Sequence, residues 1–289
     1  MLKKLFRYDF CDIGKSLGLV TLVVVILSAL GCASSAILWS IDFAEKDMPV
    51  MLSSAIILLL GAVILVAFLC VLAYTVISVI FITKRYYTNL FTDEGYLTFT
   101  LPVKVSQIFN AKVLAGLSWS AIASIVSTGC FLSLVAFSTS PDYFRYLEGI
   151  LKDIGRYWLQ NEDWSLLEKI VCYGGYGLSA VIVLVYELLL IYFCITLGAA
   201  IVKKGKLPLG IGLYFGANTV CSTVVSFLTF FASIIVSAVG STASGEEYAL
   251  SFFWEVTLQL IVVLAVYTTV SVATYFLNRY LLKNKLNLP

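Results

Sequence analysis

The chain has 289 residues, of which 61% are hydrophobic and 12% charged. A soluble domain is about half apolar and a quarter charged, so this is a membrane composition. The net charge of +2 gives no basic excess for nucleic acid. The absence of histidine removes zinc proteases, His-based general bases and most transition-metal sites, so no metal centre is expected. Seven cysteines are scattered, mostly within apolar runs, with no CxxC spacing. They signal neither a disulfide framework nor a metal site.

Across residues 2–17, Leu2, Leu5, Phe6, Phe10, Ile13 and Leu17 fall on one arc of a helix, and Lys3, Lys4, Arg7, Cys11 and Lys15 on the other. This predicts an amphipathic interfacial helix in the headgroup plane. Asp9 falls inside the apolar arc, where a carboxylate needs a partner. Two readings stand: a contact with Lys84 or Arg85, or a frayed helix with Asp9 in water. Between Lys15 and Asp42 lie 26 uncharged residues, more than the ~20 that cross a bilayer. The stretch resembles a signal peptide, and Ala29-Leu30-Gly31-Cys32 is close to a lipoprotein cleavage box. The leader is long, carries two aspartates and has leucine where a small residue is needed, so it is read as span 1, about 17–40.

Span 2 is placed at about 52–82 within an uncharged run from Met48 to Thr83. Residues 83–112 form the longest polar stretch on the side that carries most of the basic charge. In it Tyr86, Tyr87, Leu90 and Phe91 recur at helical spacing. Gly95 follows Asp93 and Glu94 and is a plausible helix end. Leu101-Pro102 breaks the pattern, because proline disfavours helical backbone in its predecessor. A second periodic run from Ser106 leads into span 3, about 113–138. An outer loop, 139–169, follows. Its Leu147, Ile150, Leu151, Ile154 and Trp158 predict a short helix at the interface, with tyrosines and tryptophans at headgroup depth. Ser165-x-x-Glu168 has the form of a capping box opening span 4. Spans 4, 5 and 6 are placed at about 170–202, 208–239 and 256–278.

With the N-terminus cytoplasmic, 14 of the 19 Lys and Arg and 4 of the 17 Asp and Glu fall on the cytoplasmic side. The positive-inside rule therefore puts both termini in the cytoplasm. The predicted fold class is an all-α membrane protein of six transmembrane helices, 1–289 forming one transmembrane domain in the plasma membrane.

Gly14-Lys15-Ser16 has the tail of a phosphate-binding loop, but that motif needs a glycine five residues before Gly14, and Asp9 stands there. Glu246-Glu247 resembles a Glu-Glu membrane-protease pair, whose sites also need histidine; a hydrated outer loop is the preferred reading. No enzyme is expected. Glu187 lies near the middle of span 4, where a charge costs about 2.5–3.5 kcal/mol on insertion scales and faces a cavity or a partner. Its expected partners are Tyr186 or Tyr192 of its own helix, or a Ser or Thr of another. Helix packing and a role in a substrate path stand as equal readings. Gly212-x-x-x-Gly216 and the Gly174-Gly175-x-Gly177 cluster allow close helix approach, with packing inside one bundle preferred over a seam between subunits.

Asp93-Glu94-Gly95-Tyr96-Leu97, then Leu101-Pro102-Val103, then Lys112 before span 3, resembles the first cytoplasmic loop of type-2 (exporter-class) ABC transporter permeases. The six-span layout is similar over the whole chain. Lys104-Val105 departs from the Ser-Arg of many members. The resemblance implies that Asp93, Glu94, Gly95, Tyr96, Leu97, Leu101, Pro102, Val103 and Lys104 form a coupling helix. It would dock on a separate ABC ATPase, present in two copies, which binds the ATP and Mg, so that this chain needs no cofactor. A second permease subunit, identical or related, would complete the path. The alternative is a stand-alone secondary transporter using Glu187 as a proton or cation site. That architecture favours internal repeats and Gly/Pro-broken spans, which this sequence does not display.

Overall fold

The computed structural model describes residues 2–44, 50–92, 95, 103–139, 148–149, 152, 166–202, 206–240 and 246–284, the side chains at some helix ends excepted. The long elements are α1 (Leu2–Ala44), α2 (Val50–Phe91), α3 (Val105–Thr139), α4 (Leu166–Ile201), α5 (Lys206–Gly240) and α6 (Glu246–Asn284). All six are long and apolar enough to cross a membrane, and no strand occurs among the described residues. The all-helical, six-span architecture is thus present. It follows from solvent: in hydrocarbon every backbone N–H and C=O must be satisfied within its own segment, and a helix does this.

α1 runs unbroken from the amphipathic segment into span 1. Its 43 residues extend about 65 Å at 1.5 Å per residue, twice a bilayer's apolar thickness. No proline lies in this stretch, so nothing in the backbone ends the helix near residue 16. The predicted amphipathicity holds: Lys3, Lys4, Arg7, Cys11 and Lys15 are exposed, and Ile13 and Leu17 are buried. Asp9 is only 6% exposed, which discards the reading of a frayed helix in water. α2 likewise continues past the predicted span, so the Tyr86–Phe91 periodicity is its last turns rather than a separate helix. In the 139–169 section, described residues 148, 149 and 152 are helical. Glu148 and Lys152 pair there at 2.6 Å with i,i+4 spacing, and Lys152 holds the exposed Glu148 carboxyl below its ordinary range. The Glu246-Glu247 backbone opens α6; the loop before it, and the side chains of the pair, lie outside the described residues.

The chain divides into two compact units. One comprises residues 7–84 and 118–159. Its core joins Val24, Cys32, Ala67, Val71, Tyr74, Ala123, Cys130 and Leu134, from α1, α2 and α3. Gly31 sets the spacing: a Cβ there would lie 2.7 Å from Ala67 Cβ and 2.8 Å from a Leu134 methyl. Gly14 has a similar purpose. The Trp119 ring stacks on Phe10 at 5.1 Å, its Nε1–H donates to the Phe10 carbonyl at 2.9 Å, and a Cβ on Gly14 would lie 2.8 Å from the ring. Gly14 therefore seats an indole.

The other unit comprises residues 1–6, 85–117 and 160–289. Here α4, α5 and α6 pack on one another. Gly210 brings α5 so close that a Cβ would lie 2.8 Å from the Ile195 Cα, and Gly175 faces the Leu260 side chain at 2.9 Å. Gly212 and Gly216 have nothing within 4 Å of a built Cβ. The expected bundle-packing role of that pair is therefore corrected: Gly210, two residues earlier, carries the close approach on α5. Gly174 and Gly177 are open in the same way.

Candidate functional site

Two features of the second unit meet on α4. The first surrounds Glu187. Tyr214 of α5 donates its hydroxyl to Glu187 Oε2 at 2.5 Å. Neighbouring Tyr186 donates to Asn218 Oδ1, also on α5, at 2.9 Å. Tyr214 and Asn218 are four residues apart and share a helix face, so adjacent polar groups on α4 engage one stripe of α5. Tyr267 of α6 closes the cluster, its ring 4.5 Å from that of Tyr186. Leu190, Cys194, Leu213 and Cys221 fill the space around it. Glu187 itself is half-buried.

The sequence placed Glu187 correctly as an intramembrane polar group but missed its partner. Tyr186 bonds to Asn218 and Tyr192 stacks elsewhere, so the acceptor is served by a tyrosine of α5. The i,i+4 pairing of Tyr214 with Asn218 was the available signal.

The second feature is the pair of helix ends that flank the 92–104 loop. At the close of α2, the buried Tyr86 ring stacks on Tyr192 of α4 at 3.8 Å with planes 7° apart. Its hydroxyl lies 2.9 Å from Thr196 Oγ1. Thr196 already donates to the Tyr192 carbonyl, so Tyr86 is the donor between helices. At the start of α3, Gly116 faces Tyr192: a Cβ there would lie 2.5 Å from the phenolic oxygen. Tyr275 of α6 donates to Asn110 Oδ1 at 2.9 Å and packs on Phe109. Asn278 of α6 donates to the Leu189 carbonyl at 3.4 Å. The α2 flank of the loop thus rests on the C-terminal half of α4, and the α3 flank on those of α4 and α6.

Of the predicted coupling residues, Gly95, Val103 and Lys104 are described. Gly95 is buried, its N–H bonds to the Thr92 carbonyl at 2.7 Å, and a Cβ there would stand 2.6 Å from the Leu90 carbonyl oxygen. A side chain at residue 95 would therefore collide with the backbone at the end of α2. Val103 is half-buried and Lys104 exposed. The Lys104 carbonyl accepts from the Gln107 N–H at 2.8 Å and opens α3. Asp93, Glu94, Tyr96, Leu97, Leu101 and Pro102 lie outside the described residues. Lys112, the lysine of the resemblance, is buried on α3.

Comparison with protein-family models, with curated proteins and with solved structures finds no match to this chain.

Proposed function

We propose that the chain is the membrane-spanning permease subunit of an ATP-driven ABC exporter, with both termini in the cytoplasm. The loop 92–104 is the coupling element, gripped by a separate ATPase present in two copies that binds ATP and Mg. A second permease, identical or related, supplies the other half of the translocation path. The observation that supports this reading most is the seating of the loop's flanks. Tyr86 on one side and Asn110 and Gly116 on the other bear on α4 and α6. A push on the loop therefore reaches Tyr192 and Thr196, and within two turns of helix the Glu187 cluster. Such transmission needs rigid, packed side chains between the two sites, and a ring stack with a buried hydrogen bond is that kind of joint. The charge asymmetry of the termini and loops and the Asp-Glu-Gly…Leu-Pro-Val pattern support the same reading.

The test is co-expression with a candidate ABC ATPase from the same genome, followed by purification in detergent. Co-elution is expected, with Glu94→Ala and Pro102→Ala lowering ATP turnover at least several-fold. An absence of association, or variants that leave both association and turnover unchanged, overturns the proposal.

The alternative, a stand-alone secondary transporter, is favoured by one observation: a half-buried carboxyl hydrogen-bonded at mid-span by a tyrosine of a neighbouring helix. Ionisable groups at such depth mark proton and ion pathways. On this reading transport proceeds without an ATPase and depends on pH through Glu187.

A further inference from the structure

At the opposite end of the α4–α5–α6 bundle from the loop flanks lies a cavity of about 450 Å³, within the range of about 300–1,000 Å³ usual for small-molecule sites. Its polar lining comes from all three helices: Tyr176 and Ser179 of α4, Ser226, Thr229 and Ser233 of α5, and Gln259 of α6. Phe230, Leu260 and Val263 complete the wall, and none of the lining residues is charged. The Glu187 cluster contributes nothing to it. Ser179 precedes Glu187 by two turns, about 12 Å along the helix.

Hydrogen-bond accounting defines what the cavity accepts. The hydroxyls of Ser179, Ser226, Thr229 and Ser233 each donate to a carbonyl of their own helix. Their protons are committed, and their oxygens remain as acceptors. Gln259 makes no hydrogen bond to any described residue, so its amide offers both donors and an acceptor. A polar side chain in a membrane span faces a cavity or a partner, and here it faces the cavity. Gln259 lies 13 residues into α6, which opens at Glu246, and the cavity sets these polar groups beside the apolar wall of Phe230, Leu260 and Val263.

We propose that this cavity binds a neutral amphiphile whose head donates hydrogen bonds through hydroxyl or amide groups and whose apolar body lies on Phe230, Leu260 and Val263. A charged head finds no counter-charge there and is disfavoured. The inference does not rest on the exporter reading, because binding is measured on the chain without any ATPase.

The test uses the full chain in phosphatidylcholine nanodiscs with a diazirine-bearing monoacylglycerol, the adducts being mapped by mass spectrometry. Adducts are expected to concentrate in residues 176–179, 226–233 and 259–263. Excess unlabelled monoacylglycerol should suppress them at least fivefold, and a fatty trimethylammonium should not. Gln259→Leu and, separately, Ser179→Val should each reduce adducts at least threefold; if Gln259→Leu elutes aggregated, the Ser179→Val result decides. A diazirine-bearing phosphatidylcholine run in parallel separates a specific site from a position filled by bilayer lipid. Equal labelling of the cavity by both probes, adducts spread along all lipid-facing helices, or no effect of the substitutions in folded protein overturns the proposal.

Discussion

At the scale of single residues, Gly95 and Glu187 give the proposed function its sharpest tests. A methyl at Gly95 would lie 2.6 Å from a backbone oxygen that cannot swing away, so Gly95→Ala must shift the start of the loop. The expected outcome is a chain that folds and elutes normally while ATPase stimulation in the co-purified complex falls at least several-fold. Glu187→Gln preserves an acceptor for Tyr214 but removes the titrating group. If the carboxyl only ties α4 to α5, transport and its pH profile stay as they were; if it carries a proton, the pH dependence of transport vanishes. The sequence read Gly95 as a helix end after Asp93 and Glu94, whereas α2 ends at Phe91 and residue 95 is itself helical. That Gly95 excludes a side chain was not legible, because the Leu90 carbonyl it meets is a contact that spacing does not reveal.

At the scale of helices, the joint between α2 and α4 makes a graded prediction. Tyr86→Phe removes one hydrogen bond between helices, worth about 0.6 kcal/mol on average within membranes, and should leave folding intact with modest loss of coupling. Tyr86→Ala also removes the stack on Tyr192 and should cost more, about 3–5 kcal/mol for a buried aromatic, read as a lowered Tm in detergent. The glycines of α5 make a second prediction. Gly210→Leu meets the α4 backbone and should destabilise the chain by at least about 1–3 kcal/mol. Gly212→Leu enters open space and should leave the Tm of the isolated chain unchanged. Helix number and approximate spans were legible because a membrane demands long uncharged runs. Which glycine of a small-residue cluster packs was not, because spacing gives a face without saying what lies opposite it. The unbroken α1 and the long α2 escaped for a related reason. Composition changes at the edge of the apolar run, but helical hydrogen bonding continues until a proline, a glycine or a competing contact ends it.

For the molecule as a whole, the proposed function would make this chain the passive half of a machine whose energy comes from a partner gripping residues 92–104. Charge distribution supports that orientation, and the seating of the loop flanks, α2 on α4 and α3 on α4 and α6, supports the proposed route. The most direct measurement is site-specific photo-cross-linking in the native membrane, with a photoreactive side chain placed at Val103, the half-buried residue beside the exposed Lys104. The account predicts a cross-linked product containing an ABC ATPase, identified by peptides that carry a phosphate-binding Gly-Lys-Ser/Thr loop, its yield changing when ATP is trapped. A Val103 position that yields no ATPase adduct, and instead reacts with a membrane-impermeant reagent on the outside of intact cells, would contradict it.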